Sequence, residues 1–395
     1  MKIPVHASRS PLVHKMAFFI FLILLPTGLI SPCNGSTVRQ ALNPANKSFK
    51  RWIDAYPGRR LLGLGDTLPQ EHSELSAMRI NETSESLFPT FQQLASSTRI
   101  IIVDQNGGGQ FRSVQAAVDS VPINNNQWVY INIGPGIYRE KVTIPYNKPF
   151  IAFQGAGMER TVITWQDRAS GFGTANSATF SVNTPRFIAK GVGFRNAAPP
   201  PSPGAYGGQA VAVLLNGDMM AFYECGFYGA QDTLFDYYGR HYFRDCIIQG
   251  SIDFIFGHAQ SIFKGCHLVV TAQSGYISGS ITAQNRKDPH DQGGFVFLSC
   301  TIMGTGYVYL GRAWGSYSRV VFVNTYMSNI IVPDGWNDWG QPSRQRTVYY
   351  GQYQCSGPGA NTDRRVSWSR ELSLSEAQPF LELSFINAGA WLQEA

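Results

Sequence analysis

The chain has 395 residues and a formal net charge of +6, but that charge is unevenly distributed. Residues 99–395 carry 22 basic and 20 acidic side chains, so this part is nearly neutral and most of the excess lies before it. There is also no basic stripe interleaved with aromatic residues, so we expect no nucleic-acid partner, and bulk charge gives little support for a polyanionic ligand.

Residues 1–35 have the layout of a secretory signal peptide. Lys2, Arg9 and Lys15 precede a ten-residue apolar run at residues 16–25, and small residues follow it. A membrane-spanning helix needs about 20 apolar residues, so this run is too short to cross a bilayer comfortably. We expect a secreted protein with no membrane span after signal removal; a signal anchor is the alternative.

Residues 36–98 are polar and show no sustained hydrophobic period, which is typical of a largely disordered linker or pro-segment. The basic segment at residues 58–63 is either a processing site or a solvated charge cluster. All three N-glycosylation sequons occur at or before this segment's end, with Asn34 at the expected cleavage point. The sequon residues are Asn34, Asn46 and Asn81.

A single globular domain is predicted over residues 99–395. It begins with an apolar strand at residues 99–105, and Ser113 can then cap a short helix. We expect this helix to cover the first, otherwise open strand edge. A second helical stretch after Ser373, together with Trp391, should fold back against the body. The residues expected on the buried face of the first helix are Val114, Ala117, Val118 and Val121.

A repeated pattern, Phe-x-x-(Cys or small)-x-apolar, runs through the domain. Successive copies are separated by 28, 21, 20, 34 and 25 residues. Short β-branched stretches lie between them, including residues 210–215 and 319–323, and we expect strands to about residue 348. Variable spacing favours a parallel β-helix over a β-sandwich or a propeller. The copies begin at Phe194, Phe222, Phe243, Phe263, Phe297 and Phe322.

Four cysteines occupy the same slot of this repeat, so they should line up along one wall of the coil. Together with Cys355 they give an odd number, so at least one thiol is unpaired within a monomer. Buried small apolar residues and a disulfide are both open interpretations. The spacing matches no zinc site. The four aligned residues are Cys225, Cys246, Cys266 and Cys300.

Two aspartates, Asp232 and Asp253, lie 21 residues apart, each ten residues after the Phe of its own repeat. On adjacent rungs of a coil they would stack about 4.8 Å apart, and one carboxyl group should then have a raised pKa. Gln209 and Gln231 are 22 residues apart and also fit adjacent rungs. Arg312 follows Asp253 by 59 residues, the same advance as from one Phe copy to another, so it should return to the same face.

Five segments surround these residues: GIYRE (136–140), GGQAVAV (207–213), GAQDTLF (229–235), GSIDFIFG (250–257) and YLGRAWG (309–315). In this order they resemble the motifs of plant-type pectin methylesterases, whose usual forms are GxYxE, QAVAL, GYQDTLY, GTVDFIFG and YLGRPW. The resemblance covers about residues 99–395 and implies a right-handed parallel β-helix. It also implies the shorter class, without an inhibitor-like pro-domain.

The resemblance implies a role for each matching residue. Asp253 corresponds to the nucleophile, and Asp232 to the acid that protonates methanol and then activates water. Gln209 and Gln231 correspond to the oxyanion donors, and Arg312 to the partner that keeps the nucleophile ionised. Residues expected to bind substrate are Gln209, Arg312, Trp314 and Trp336.

The resemblance also sets expectations for partners and cross-links. It implies methyl-esterified pectin as substrate, a plant cell-wall location, a monomer and a proteinaceous inhibitor as a further partner. We expect no cofactor and no metal. A bridge between Cys266 and Cys300 is implied as well.

The chain departs from the family at two positions next to the site. Ala313 replaces the Pro of YLGRPW, which should loosen the loop that holds Arg312 and Trp314. His258 stands where Asn often follows DFIFG, and its imidazole should affect the pH response. Two alternative functions stay open: another pectin-active β-helix hydrolase or lyase, and a catalytically inactive pectin-binding solenoid.

Overall fold

The structure is a computed structural model that describes residues 99–202, 204–275 and 277–392. The predicted signal peptide, the linker, the three sequons and the basic segment at residues 58–63 lie outside the described residues. Within the described part, no helix is long and apolar enough to cross a membrane.

The described chain coils into a parallel β-helix made of three sheets, which confirms the predicted fold class. From Val129 to Asn337, each turn of the coil adds one strand to sheet 1, then one to sheet 2, then one to sheet 3, and all pairings between the named strands are parallel. A sandwich and a propeller are both excluded by this order. The chain thus returns to the same sheet once per turn, as the repeat predicts.

Sheet 1 has 11 strands: Arg99–Val103, Val129–Ile133, Ile151–Gly155, Phe187–Lys190, Met220–Tyr223, Arg240–Arg244, Gln260–Lys264, Gly294–Leu298, Arg319–Val323, Tyr349–Tyr353 and Arg370–Glu371. Sheet 2 has eight: Gly136–Tyr138, Thr161–Trp165, Gly193–Asn196, Gly226–Tyr228, Ile247–Gly250, His267–Thr271, Thr301–Thr305 and Tyr326–Met327. Sheet 3 also has eight: Val142–Ile144, Phe180–Val182, Val213–Asn216, Leu234–Tyr238, Ile255–Gly257, Ile277–Gln284, Tyr307–Arg312 and Trp336–Asn337.

The repeated phenylalanines form a ladder inside sheet 1. The register aligns Phe222 with Phe243, and continues through Phe263, Phe297 and Phe322. Neighbouring rings stack with centroids 4.5–5.2 Å apart. Stacked aromatic pairs add to the area that they bury, so this ladder fixes the register of successive turns.

The first copy of the pattern lies in a different sheet from the other five. Phe194 lies in sheet 2, where it pairs with Phe227, and the sheet 1 partner of Phe222 is Ala189. It matches the pattern because Phe194 also points into the core and is fully buried, so an inward aromatic of one sheet resembles that of the next. Two strand limits also differ. The strand expected at residues 210–215 begins at Val213, and strands continue beyond residue 348.

The predicted N-terminal helix is confirmed at Val114–Asp119, with Ser113 Oγ accepting from the Ala116 amide at 3.2 Å. Its predicted inner face is buried. Glu140, from the GIYRE segment, accepts the Ser113 hydroxyl and the amides of Val114 and Gln115 at 2.7–3.0 Å. Negative charge is favourable at a helix N-terminus, so this motif residue ties the helix to the first turn.

The other helices are short. The α-helices are Ala169–Phe172 and Leu374–Ala377, and the 3-10 helices are Ala175–Ser177, Pro342–Arg346, Pro358–Ala360, Gln378–Phe380, Leu383–Ile386 and Ala388–Ala390. Ser373 and Glu376 form a capping box at the start of the C-terminal segment. As predicted, that segment folds back, and its Phe380 and Trp391 share an apolar cluster with Tyr242 and Ile262 on the outer face of sheet 1. Parallel sheets are normally covered on both faces, and this segment supplies the second cover.

The aligned cysteines line one inner wall, as predicted, and all four are buried. The expected Cys266–Cys300 bridge is not present, because all the cysteines of the described part are free thiols. Each thiol instead donates to a backbone carbonyl of the preceding turn, Cys266 to Phe243 O and Cys300 to Phe263 O. The thiols therefore act as small buried groups.

Candidate active site

The two aspartates occupy equivalent positions on adjacent turns. An isolated parallel bridge joins Gln231 to Ile252, which places Asp232 opposite Asp253 immediately before their sheet 3 strands. Both residues have positive φ, 63° and 47°. This left-handed backbone is uncommon for residues other than glycine, and aspartate is among those that tolerate it. The sequence interval therefore places the two carboxyl groups as expected.

A cavity of about 320 Å³ opens over this pair. It contains all five polar residues that the sequence singled out, and also Trp314. Gln209 and Gln231 are half-buried, so their side chains can reach a ligand in the cavity. Sequence reasoning missed the other lining residues, which are Thr174, Phe235, Phe256, Ala283 and Trp339.

Asp253 is 5% exposed and is held by the Arg312 guanidinium. Arg312 Nε lies 2.8 Å from Oδ1 and 3.0 Å from Oδ2, and Nη2 donates to Oδ2. A fork-shaped contact of this kind is charge-assisted and fixes the orientation of the carboxylate. The sheet 3 register places Ala283 between the two turns, and its small side chain leaves room for Arg312 to reach back.

Asp232 is 8% exposed and has the opposite electrostatic setting. Burial is the larger cause, and the negative charge of Asp253 the second, of a pKa for Asp232 well above its usual range; Arg312 acts in the other direction. The site therefore holds one carboxylate that is paired with a cation and one carboxyl group that tends to keep its proton. Two acids with opposed environments are typical of acid/base pairs in enzymes.

Trp339, not Trp336, is the second tryptophan of the cavity. Trp336 is 2% exposed and stacks on Tyr350 inside the coil, with ring centroids 4.3 Å apart, so the prediction that it binds substrate is wrong. Trp336 pairs in sheet 3 with Gly311, which has no side chain. A Cβ atom at position 311 would contact the Trp336 ring, so glycine leaves space for that ring. The ring centroid of Trp339 instead lies 3.9 Å from the guanidinium carbon of Arg312. The sequence DGWNDWG contains both residues, and only the register separates inward from outward.

The two residues that depart from the family motifs, Ala313 and His258, both form hydrogen bonds to neighbouring turns. Ala313 is buried, and its amide donates to Asn337 O at 2.9 Å, a bond that proline could not make. The expected loosening of this loop is therefore not what the structure shows. His258 lies 2.7 Å from Asp291 and 2.9 Å from Asn285 O, so it ties two turns together beside the site.

A longer groove continues from the cavity along the outer face of sheet 3. It holds about 770 Å³ and shares Phe235 with the site. Lys141, Asn183 and Asn216 supply polar groups, and Phe172 supplies a flat apolar surface. Among the described residues, no group of three or more His, Cys, Asp or Glu side chains is placed to hold a metal ion.

Comparison with known proteins identifies this arrangement. The family model for pectinesterase matches residues 100–389. The chain belongs to the pectinesterase family. Relatives from Arabidopsis thaliana include Probable pectinesterase 8, 47% identical over 303 residues (75% of this chain and 77% of the relative), and Pectinesterase QRT1, 46% identical over 306 residues (75% and 79%).

Solved structures of pectin methylesterases share the fold of this pectinesterase. The enzyme from carrot is 36% identical with a TM-score of 0.70, covering 74% of this chain and 95% of that one. A pectin methylesterase in complex with a hexasaccharide is 26% identical with a TM-score of 0.63, covering 74% and 98%.

Proposed function

We propose that this pectinesterase hydrolyses the methyl esters of galacturonate units in pectin, releasing methanol and leaving a free carboxylate on the polymer. The observation that carries the proposal is one open cavity in which the buried Asp253 is paired with Arg312 and lies beside Asp232, whose pKa is raised by burial and by the charge of Asp253. Family membership and the names of the relatives support the substrate class.

In the first step Asp253 attacks the ester carbonyl. The new bond between its carboxylate oxygen and the carbonyl carbon gives a tetrahedral oxyanion, which Gln209 and Gln231 stabilise through their side-chain amides. Each such donor typically contributes about 10²–10³ in rate. Asp232 gives its proton to the departing methoxy oxygen, methanol leaves, and an acyl-enzyme anhydride remains.

In the second step Asp232 is ionised and acts as a base. It takes a proton from a water molecule as the water oxygen attacks the galacturonyl carbon. The bond to Asp253 breaks, its electron pair returns to the carboxylate, and the galacturonic acid is released. Asp232 regains the proton and Asp253 regains its charge, so the enzyme is ready for another cycle.

The long groove is the proposed path of the polymer. A pectin chain presents hydroxyl and carboxyl groups along its length and flat sugar faces between them. Asn183, Asn216 and Lys141 can bond the former, while Phe172 and Trp314 can pack against the latter. This distribution of polar and aromatic groups suits an extended carbohydrate.

We propose the cell wall as the location, with residues 1–35 as a signal peptide, 36–98 as a polar linker and 99–395 as the catalytic domain. Secretion and glycosylation at Asn46 and Asn81 rest on the sequence alone. The same holds for a monomeric state and for binding of an inhibitor protein.

The test is methanol release from highly methylated pectin by the purified full chain. We expect methanol without shortening of the polymer, and Asp253→Asn should abolish it while pectin binding persists. Unsaturated or new reducing ends would instead support a lyase or a glycosidase. Binding without any methanol from the native chain would support an inactive solenoid.

A further inference from the structure

Ser280 is a buried residue outside all five motifs that contacts Asp253 twice. It lies in the sheet 3 strand Ile277–Gln284, and the register that pairs Ile255 with Thr282 sets it opposite Asp253 on the following turn. Its hydroxyl donates to Asp253 Oδ1 at 2.7 Å, and its carbonyl accepts the Asp253 amide at 2.7 Å. Both the backbone and the side chain of Asp253 are thereby held.

The two oxygens of Asp253 have different sets of donors. Oδ1 accepts from the Ser280 hydroxyl and from Arg312 Nε at 2.8 Å. Oδ2 accepts from Arg312 Nη2 and, at 3.0 Å, from Nε. Of these donors, the Ser280 hydroxyl alone does not belong to Arg312, so it holds the carboxylate independently of the guanidinium.

We propose that Ser280 is a positioning residue that fixes the rotation of the Asp253 carboxylate for attack on the ester carbon. Its hydroxyl bonds Oδ1 from the strand of the following turn, so the carboxylate is held from a second direction besides that of Arg312. This inference rests on the proposed function, because it assigns the geometry of the same nucleophile.

Ser280 also acts in the second step. In the anhydride, one oxygen of Asp253 bridges to the galacturonyl carbon and the other is the carbonyl oxygen of Asp253. When water attacks the galacturonyl carbon, the bond from that carbon to the bridging oxygen breaks and its electron pair spreads over both carboxylate oxygens. The Ser280 hydroxyl, already directed at Oδ1, stabilises this returning charge.

Ser280→Ala tests the hydroxyl alone, since alanine keeps the carbonyl that accepts the Asp253 amide. A hydrogen bond to a charged group is worth enough for kcat to fall about 10- to 100-fold, while KM changes less than about twofold. The matched control is Thr282→Val on the same strand, which removes a buried hydroxyl bonded at 3.0 Å to Leu310 O and leaves Asp253 untouched. We expect that control to lower the melting temperature and to leave kcat unchanged.

The experiment uses the full chain and methylated pectin, with Asp253→Asn in parallel. Wild-type kcat in Ser280→Ala overturns the role of Ser280, and so does an equal loss of kcat in Thr282→Val. If the native chain releases no methanol, the proposed function itself fails. If native protein is active and Asp253→Asn is not, only the Ser280 result decides this inference.

Discussion

Replacing Arg312 with lysine tests whether the planar shape of the cation that holds Asp253, and not only its charge, supports catalysis. Lysine keeps the positive charge but is a point donor, whereas the guanidinium reaches both carboxylate oxygens at once. Arg312→Lys also removes the planar group that lies 3.9 Å over the Trp339 ring. The variant therefore changes geometry and stacking while the net charge of the cavity stays the same.

The structure gives the size of the effect. One charge-assisted hydrogen bond is lost, worth about 1.5–3 kcal/mol. The cation–π contact with Trp339 adds about 0.5–1 kcal/mol at a partly exposed site. A total of about 2–4 kcal/mol corresponds to a fall of roughly 30- to 1,000-fold in kcat/KM.

The assay is the initial rate of methanol release over a range of pectin concentrations. Arg240→Lys is the matched control, because Arg240 makes the same kind of fork to Asp218, at 2.9 and 2.6 Å, away from the cavity. We expect the control to keep its kcat/KM. If Arg312→Lys also stays within threefold of the native value, the fork does not support catalysis and the reasoning is refuted.

Three further predictions concern stability, binding and the helix cap. Because the pKa of Asp232 is raised above the usual 3.8, the folded protein keeps a proton that the unfolded chain releases, and stability falls as pH rises through that interval. Asp232→Asn should be inactive because it lacks the acid. It should also melt at a higher temperature than the native protein, and this difference should be larger at pH 7 than at pH 3. An equal difference in melting temperature at the two pH values would contradict the raised pKa. Trp336→Leu should lower stability by about 2–5 kcal/mol in a denaturant titration with little change in KM, whereas Trp339→Leu should lower kcat/KM with little change in stability; the reverse pattern would restore Trp336 to the site. Glu140→Gln should cost about 1–2 kcal/mol of stability with kcat intact, and a loss of kcat instead would show that the GIYRE segment serves the chemistry.

The sequence was most informative where one spacing recurs. The interval from Phe222 to Phe243 equals that from Asp232 to Asp253, because both pairs sit one turn apart. Equal intervals therefore predicted the coil and the stacked acids together. The pattern failed at Phe194, since inward aromatic residues occur in more than one sheet and composition does not name the sheet.

The parts of the site that escaped prediction depend on register within a turn. Trp336 and Trp339 differ by three residues, and only the pairing of Trp336 with Gly311 shows which of them is inside. Ser280 carries no motif, and its importance comes from facing Asp253 across a strand pair. Whether Cys266 and Cys300 are bridged or free is likewise not encoded in the interval between them.

Because the cavity is built from successive turns, the spacing of the reacting groups does not depend on the length of the connections between strands. Vertical distances among the reacting groups are set by the strand repeat of about 4.8 Å, whatever the length of the connections between strands. Arg312 follows Asp253 by 59 positions in the sequence, yet the two side chains are in contact. The connections between strands can consequently differ in length from one turn to the next without moving the reacting groups. Changes in these connections can then alter which substrates bind, while the positions of the catalytic residues stay the same.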